Sequence, residues 1–106
     1  MTEQEFLAQC ERTLDTIEDA VDACGASIEA SRNERVLELE FDDGTKIIVN
    51  GNAPVREVWV AAKSGGFHFR HDAGRWVDTR SGEELFASLS RLASLQAGEP
   101  VLLPGR

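Results

Sequence analysis

The sequence has no tyrosine, one methionine, two cysteines and three prolines in 106 residues. Positive charge is almost missing from its start. Among the first 30 residues Arg12 is the only base, against eight acids (Glu3, Glu5, Glu11, Asp15, Glu18, Asp19, Asp22 and Glu29). Each scarcity excludes something. No run of about 18 apolar residues exists, so no transmembrane helix is expected. The start lacks the basic and apolar regions of a secretory signal and the arginine richness of a transit peptide, so a cytoplasmic location is expected. Cys10 and Cys24 are too few for a disulfide framework. On one helix they lie about 21 Å apart along the axis, whereas a disulfide needs α-carbons within about 7 Å. They read as small buried hydrophobes, and neither belongs to a C-x-x-C pair that would suggest zinc or redox chemistry. The glycines form no phosphate-binding loop. His68 and His71 have no nucleophile at a fitting spacing and read as turn or surface histidines, so no catalytic site and no enzyme is expected.

What is present is negative charge in one place. The formal net charge is −8, and the first 30 residues carry −7 of it, since residues 31–106 hold 11 acids and 10 bases. Such a block repels itself and disfavours the compact state. Salt and divalent cations are therefore expected to raise the melting temperature. The acidity argues against a nucleic-acid or anionic-membrane partner. It favours cations or a basic protein face.

A chain of this length makes one domain, residues 1–106. Residues 3–24 carry Phe6, Cys10, Leu14, Ile17 and Val21 at helical spacing. Thr2 and Glu5 have the form of a capping box, and Gly25 is a plausible stop. Period-two segments follow. Leu37, Leu39 and Phe41 alternate with Glu38 and Glu40 as in a half-buried strand. Asp42-Asp43-Gly44-Thr45 is a hairpin turn and Lys46–Asn50 its return strand. A loop through Pro54 leads to a strand from Val55 to Ala61, and turns at 65–66 and 71–74 separate two more short strands. A weaker strand is expected at 27–30. Ser81 and Glu84 suggest a second capping box, opening a helix to about Gln96 with Leu85, Phe86, Leu89, Leu92 and Ala93 as its apolar face. Gly98 ends it, and Val101-Leu102-Leu103 is expected to pack back on the helices. The fold class is α+β: an antiparallel sheet of five to six strands with two helices packed on one face, the other face solvated.

At 100° per residue Glu11, Asp15, Glu18 and Asp22 fall within a sector of about 60° on the first helix. Asp19 lies beside them, and Glu29 could join from a nearby edge strand. Three readings stay open for this stripe: a solvated face that keeps the chain soluble, a docking surface for a basic protein, and a site for hard cations, which favour carboxylate oxygens. A cation site without histidine or cysteine would be weak, exposed and promiscuous among Fe2+, Fe3+, Mn2+ and Ca2+. On the sheet, Val58 and Val60 share one face of their strand and Glu57, Trp59 and Ala61 the other. If the valines face the helices, Trp59 stands on the open face as a candidate interface anchor; otherwise the register is reversed or a neighbouring strand covers the ring. Asn50 and Lys46 share a parity that can place them beside it. Trp76 reads as core.

Several segments together resemble the frataxin family, most closely its bacterial branch. They are Gly44-Thr45-Lys46-Ile47-Ile48-Val49-Asn50, Pro54, Val58-Trp59-Val60-Ala61, Gly65-Gly66-Phe67-His68-Phe69, Arg80-Ser81-Gly82-Glu83 and Gln96-Ala97-Gly98-Glu99. The likeness covers residues 5–101. It implies a frataxin-like αβ sandwich, weak iron binding on an acidic ridge, and a part in iron–sulfur cluster assembly through a cysteine desulfurase and a scaffold protein. In that role the chain would act as iron donor, iron chaperone or regulator of the desulfurase. Glu18, Asp19 and Asp22 match acidic positions of the bacterial ridge; Trp59 and Asn50 match residues tied to contact with the assembly machinery. This chain departs from its relatives at Ala23-Cys24-Gly25-Ala26-Ser27, where they carry further acids, so its ridge is thinner. The resemblance leaves two alternatives. One is an interaction module with only incidental metal binding. The other is a ferroxidase or iron-storage protein, which would need a Glu-x-x-His pair on facing helices, and the sequence has none.

Overall fold

A computed structural model describes residues 1–105. Helix α1 (Glu3–Ala23) is followed by strands β1 (Ile28–Asn33), β2 (Val36–Phe41), β3 (Lys46–Asn52), β4 (Glu57–Ala62), β5 (Gly65–Asp72) and β6 (Arg75–Asp78), and then by helix α2 (Leu85–Ala97). The six strands form one sheet in chain order, and each pairs antiparallel with its neighbours. Both helices pack on one face of it, as expected. No helix among the described residues is long and apolar enough to cross a membrane.

The core lies between helices and sheet. Phe6, Cys10, Leu14, Ile17 and Val21 of α1 are all buried, as are Leu37, Leu39, Phe41, Ile47, Val49, Val58, Val60, Phe69 and Trp76 from the strands. Period two along each strand and helical spacing along α1 thus bury one face of each element. Phe6 meets Trp76 edge-on at 5.8 Å, and the Trp76 Nε1–H donates to the Thr13 hydroxyl at 2.9 Å. The tail is pinned to α2 by two serines. The Val101 N–H donates to Ser94 Oγ at 2.8 Å and the Leu103 N–H to Ser90 Oγ at 2.9 Å. Val101 and Leu103 are buried while Leu102 points out.

Several local expectations are corrected. The Ser81–Glu84 capping box does not form. Glu84 is itself the N-cap of α2, accepting from the Phe86 and Ala87 N–H groups at 2.8 and 3.1 Å. Ser81 Oγ instead accepts from the Glu83 N–H. Phe86 is only partly buried, and Ser88 takes its place in the helix's inner face, its hydroxyl donating to Glu83 at 2.7 Å. Strand β4 starts at Glu57, two residues later than expected, because a 3-10 turn spans Ala53–Val55 and Arg56 adopts a left-handed conformation (φ 55°). Strand β1 is longer than expected and forms one edge of the sheet.

Candidate functional site

The capping box at the start of α1 is complete. The Glu5 N–H donates to Thr2 Oγ1 at 3.1 Å, and the Thr2 N–H donates to Glu5 Oε1 at 2.8 Å. Those bonds from Thr2 hold the Glu5 carboxyl below its usual range. With the buried stripe fixing the rotation of α1, Glu11, Asp15 and Glu18 emerge together on one flank. They converge on one guanidinium, that of Arg32. Its Nη2 lies 2.7 Å from Glu11 Oε2, and its Nη1 lies 2.5 Å from Asp15 Oδ1 and 2.8 Å from Glu18 Oε1. The Arg32 Nε–H donates to the Glu34 carbonyl at 3.2 Å. The Arg32 side chain is only 16% exposed, against 57%, 64% and 35% for the three acids. The bond to Glu18, and then Asp15 and Glu11, hold its proton more tightly than usual. Three carboxylates and one guanidinium leave this cluster a formal charge of −2.

The backbone explains the geometry. In β1, Ile28, Ala30 and Arg32 pair with Phe41, Leu39 and Leu37, all core residues of β2. Arg32 therefore points to the helix side of the sheet at its outer edge, where only the flank of α1 can meet it. The same register corrects the placing of Glu29. It pairs with Glu40, on the face away from α1, and cannot join the strip. Asp22 is exposed one turn beyond Glu18 and Asp19 is exposed on the same helix. Among the described residues no three histidine, cysteine, aspartate or glutamate side chains are grouped closely enough to hold a metal ion as they stand. The oxygen-only donor set suits hard cations, but its present occupant is an arginine.

The open face of the sheet carries a second cluster. A row of paired residues runs across it: Val36 with Asn50, Asn50 with Trp59, and Trp59 with His68. Trp59 is half-buried, because the His68 ring stacks on it at 4.4 Å and 9°. A neighbouring strand thus covers one face of the indole, and His68 is a strand residue, not a turn residue. The Trp59 Nε1–H donates to Glu57 Oε1 at 2.8 Å, and Arg70 Nη2 reaches Glu57 Oε2 at 2.8 Å. The Trp59 N–H first, and then Arg70, hold the Glu57 carboxyl below the usual range. Glu57 is buried at 8% exposure, so this part of the open face is built, not merely wet. Asn50 lies directly beside Trp59. Lys46 shares their face but sits four residues away along β3, about 13 Å, where it pairs with Glu38 at 3.3 Å. The structure does not bring Lys46 to Trp59.

Sequence reasoning missed Arg32, Glu57, His68 and Arg70. Arg32 lies beyond the strand expected at 27–30, so no local spacing pointed to it; it comes to the strip through the extra length of β1 and its register with β2.

Comparison with known proteins follows the same lines. A family model described as a frataxin-like domain matches residues 1–99. The iron-sulfur cluster assembly protein CyaY of Cupriavidus pinatubonensis is 58% identical over 101 residues, covering 92% of this chain and 91% of the relative. The protein of that name from Cupriavidus necator is 54% identical over 107 residues, 97% and 96% of the two chains. Among solved structures, frataxin from Psychromonas ingrahamii superposes with a TM-score of 0.92 at 32% identity, covering 99% of this chain and all of that one. Yeast frataxin superposes at 0.65 and 20% identity, over 91% of this chain and 80% of that one, a likeness of fold.

Proposed function

This chain belongs to the frataxin-like family, and on that premise we propose that it serves iron–sulfur cluster assembly as an iron-binding regulator or iron supplier in the cytoplasm. It docks on a basic surface of a cysteine desulfurase, and of the cluster scaffold protein, through the acidic flank of α1. The observation that carries this reading is the convergence of Glu11, Asp15 and Glu18 at one solvent-facing strip. With Asp19 and Asp22 on the same helix, the strip offers hard oxygen donors for weak, exposed binding of Fe2+ or Fe3+, for which other divalent cations can substitute. Iron is here a cargo or signal, and the chain does no covalent chemistry. The row of Asn50, Trp59 and His68 is the second contact surface, with the indole held in place by Glu57 and available as an anchor.

Because a cation and a basic partner would use the same carboxylates, each weakens the other. The test is the affinity for the desulfurase with and without Fe2+ at fixed ionic strength. Fe2+ should weaken binding several-fold; an unchanged affinity rejects the competition.

A second reading has one observation in its favour. Arg32 already sits among the acids, which suits an interaction module whose metal binding is incidental. That reading expects Trp59→Ala to abolish function while neutralising the carboxylates of α1 leaves it intact.

A further inference from the structure

We infer that the cleft between α1, the β5–β6 hairpin and the start of α2 is a binding site for a small organic dianion with a planar body. Arg12 and Arg75 hold its charge, and its body lies against His71 and Phe86. The cleft has a volume of about 740 Å³ and all four residues line it. Pockets that hold small molecules run from about 300 to 1,000 Å³. The site is opposite in sign to the acidic strip, and neither a cation nor a partner at that strip is needed for it.

Three observations carry it. First, the cations at the cleft are uncommitted. Arg12 follows Glu11 and precedes Asp15 by one helical turn, yet it pairs with neither, because Arg32 holds both acids. Among the described residues the Arg12 and Arg75 guanidinium groups make no hydrogen bond or ion pair. Second, the acids that line the cleft are engaged. Asp15 is held by Arg32, and the two Glu84 carboxylate oxygens accept from the Phe86 and Ala87 N–H groups. Two planar forks thus line one concavity without an acceptor, and each matches a carboxylate or phosphate two oxygens at a time. On a chain of net charge −8 they form a local field of the opposite sign, which the concave shape focuses. A dianion matches both charges, whereas a monoanion leaves one unmet. Third, the cleft offers a surface to the ligand's body. Phe86, which leaves the inner face of α2 to Ser88, lines this cleft instead. The His71 ring sits beside it in the lining, held edge-on by Trp76 at 4.9 Å and 71°. Two rings next to two guanidinium forks suit a flat body that carries its charge at one end.

The experiment titrates phenyl phosphate and phthalate, an aromatic phosphate monoester and an aromatic dicarboxylate, into the full chain at fixed ionic strength. Backbone amide and indole N–H signals are followed. Saturable shifts should centre on residues 9–16 and 71–76 and on the Trp76 indole, and the Trp59 indole should stay still. The tighter of the two ligands identifies the headgroup. Inorganic phosphate should move the same signals with roughly tenfold lower affinity, for want of the ring. Arg12→Gln and Arg75→Gln should each weaken phenyl phosphate binding roughly fivefold, and Arg80→Gln, outside the cleft, should not. Shifts that never saturate, that respond to Arg80→Gln as much as to the cleft variants, or that survive loss of both cleft arginines overturn the site. Inorganic phosphate binding as tightly as phenyl phosphate overturns the contact with His71 and Phe86. Should a variant fail to fold, wild type alone decides: its affinity for phenyl phosphate must fall as salt rises, and an affinity that ignores salt overturns recognition by the two arginines.

Discussion

Replacing Arg32 by methionine keeps much of the stem that packs against the sheet and removes the charged fork, so its stability effect isolates the electrostatics of the strip. Three ion pairs are lost. Their acids are one-third to two-thirds exposed, which places each pair at roughly 0.5 kcal/mol. Glu11, Asp15 and Glu18 are then left as neighbours four and three positions apart, each adjacent pair repelling by about 0.2–0.5 kcal/mol. The expected loss is about 2 kcal/mol at low salt. For a domain of this size that lowers the melting temperature by roughly 10 °C. In about 1 M salt the Debye length falls to about 3 Å and the deficit should fall to about half. Urea unfolding followed by circular dichroism, on both proteins at about 0.01 M and about 1 M salt, measures it. A deficit that ignores salt, or a more stable variant, refutes the reasoning. The structure also changes what neutralising the strip should do. Glu18→Gln removes a contact to Arg32 while relieving repulsion. Only exposed Asp22, beyond the guanidinium's reach, retains the stabilisation expected from charge removal alone.

Three further predictions concern the core and the ion pair at the start of α2. A β-carbon on Gly51 would stand 2.9 Å from Cys10 Sγ, so Gly51→Ala should destabilise by about 1–3 kcal/mol, and adding Cys10→Ala should recover most of it; a simple sum of the two losses in a double-mutant cycle would contradict the clash. Burial pushes the Cys10 thiol up to about 11, so at neutral pH a thiol reagent should modify the native chain at Cys24 only, a site that peptide mass mapping identifies. The bond from Arg91, then that from the Ser88 hydroxyl, lowers the Glu83 carboxyl below its usual value. A folded-state value below the unfolded one contributes stability that is present above the unfolded value of about 4.3 and is lost as pH falls through the folded value. Wild type should therefore exceed Glu83→Gln in unfolding free energy at pH 7, and the gap should close below about pH 4; a gap that is constant with pH counts against the assignment.

Local chemistry was legible in the chain and long-range pairing was not. The apolar stripe of α1, the Thr2–Glu5 box, the alternation in β2 to β4 and the stop at Gly98 each rest on neighbours a few positions apart, and each appears where the spacing put it. Ser81 misled because the Asp78 carboxylate takes the Arg80 and Ser81 N–H groups, which holds that segment in a turn and moves the cap to Glu84. Strand β1 was faint because an edge strand buries too little to alternate clearly. The strip was legible as four acids on one flank of a helix. Its decisive member lies 14 to 21 positions further on, and only the β1–β2 register shows that Arg32 faces the helix and Glu29 does not. The stacked Trp59 and His68 come together in the same way, through the pairing of β4 with β5.

In the proposed function, the carboxylates gathered on α1 are the surface this chain presents to its partner. Equilibrium affinity for the cysteine desulfurase at low salt, comparing wild type with Glu11→Gln/Asp15→Asn/Glu18→Gln and confirming each fold by amide spectra, tests it directly. A weakening of at least tenfold and a shallower dependence on salt are expected. An affinity and a salt dependence equal to wild type would contradict it.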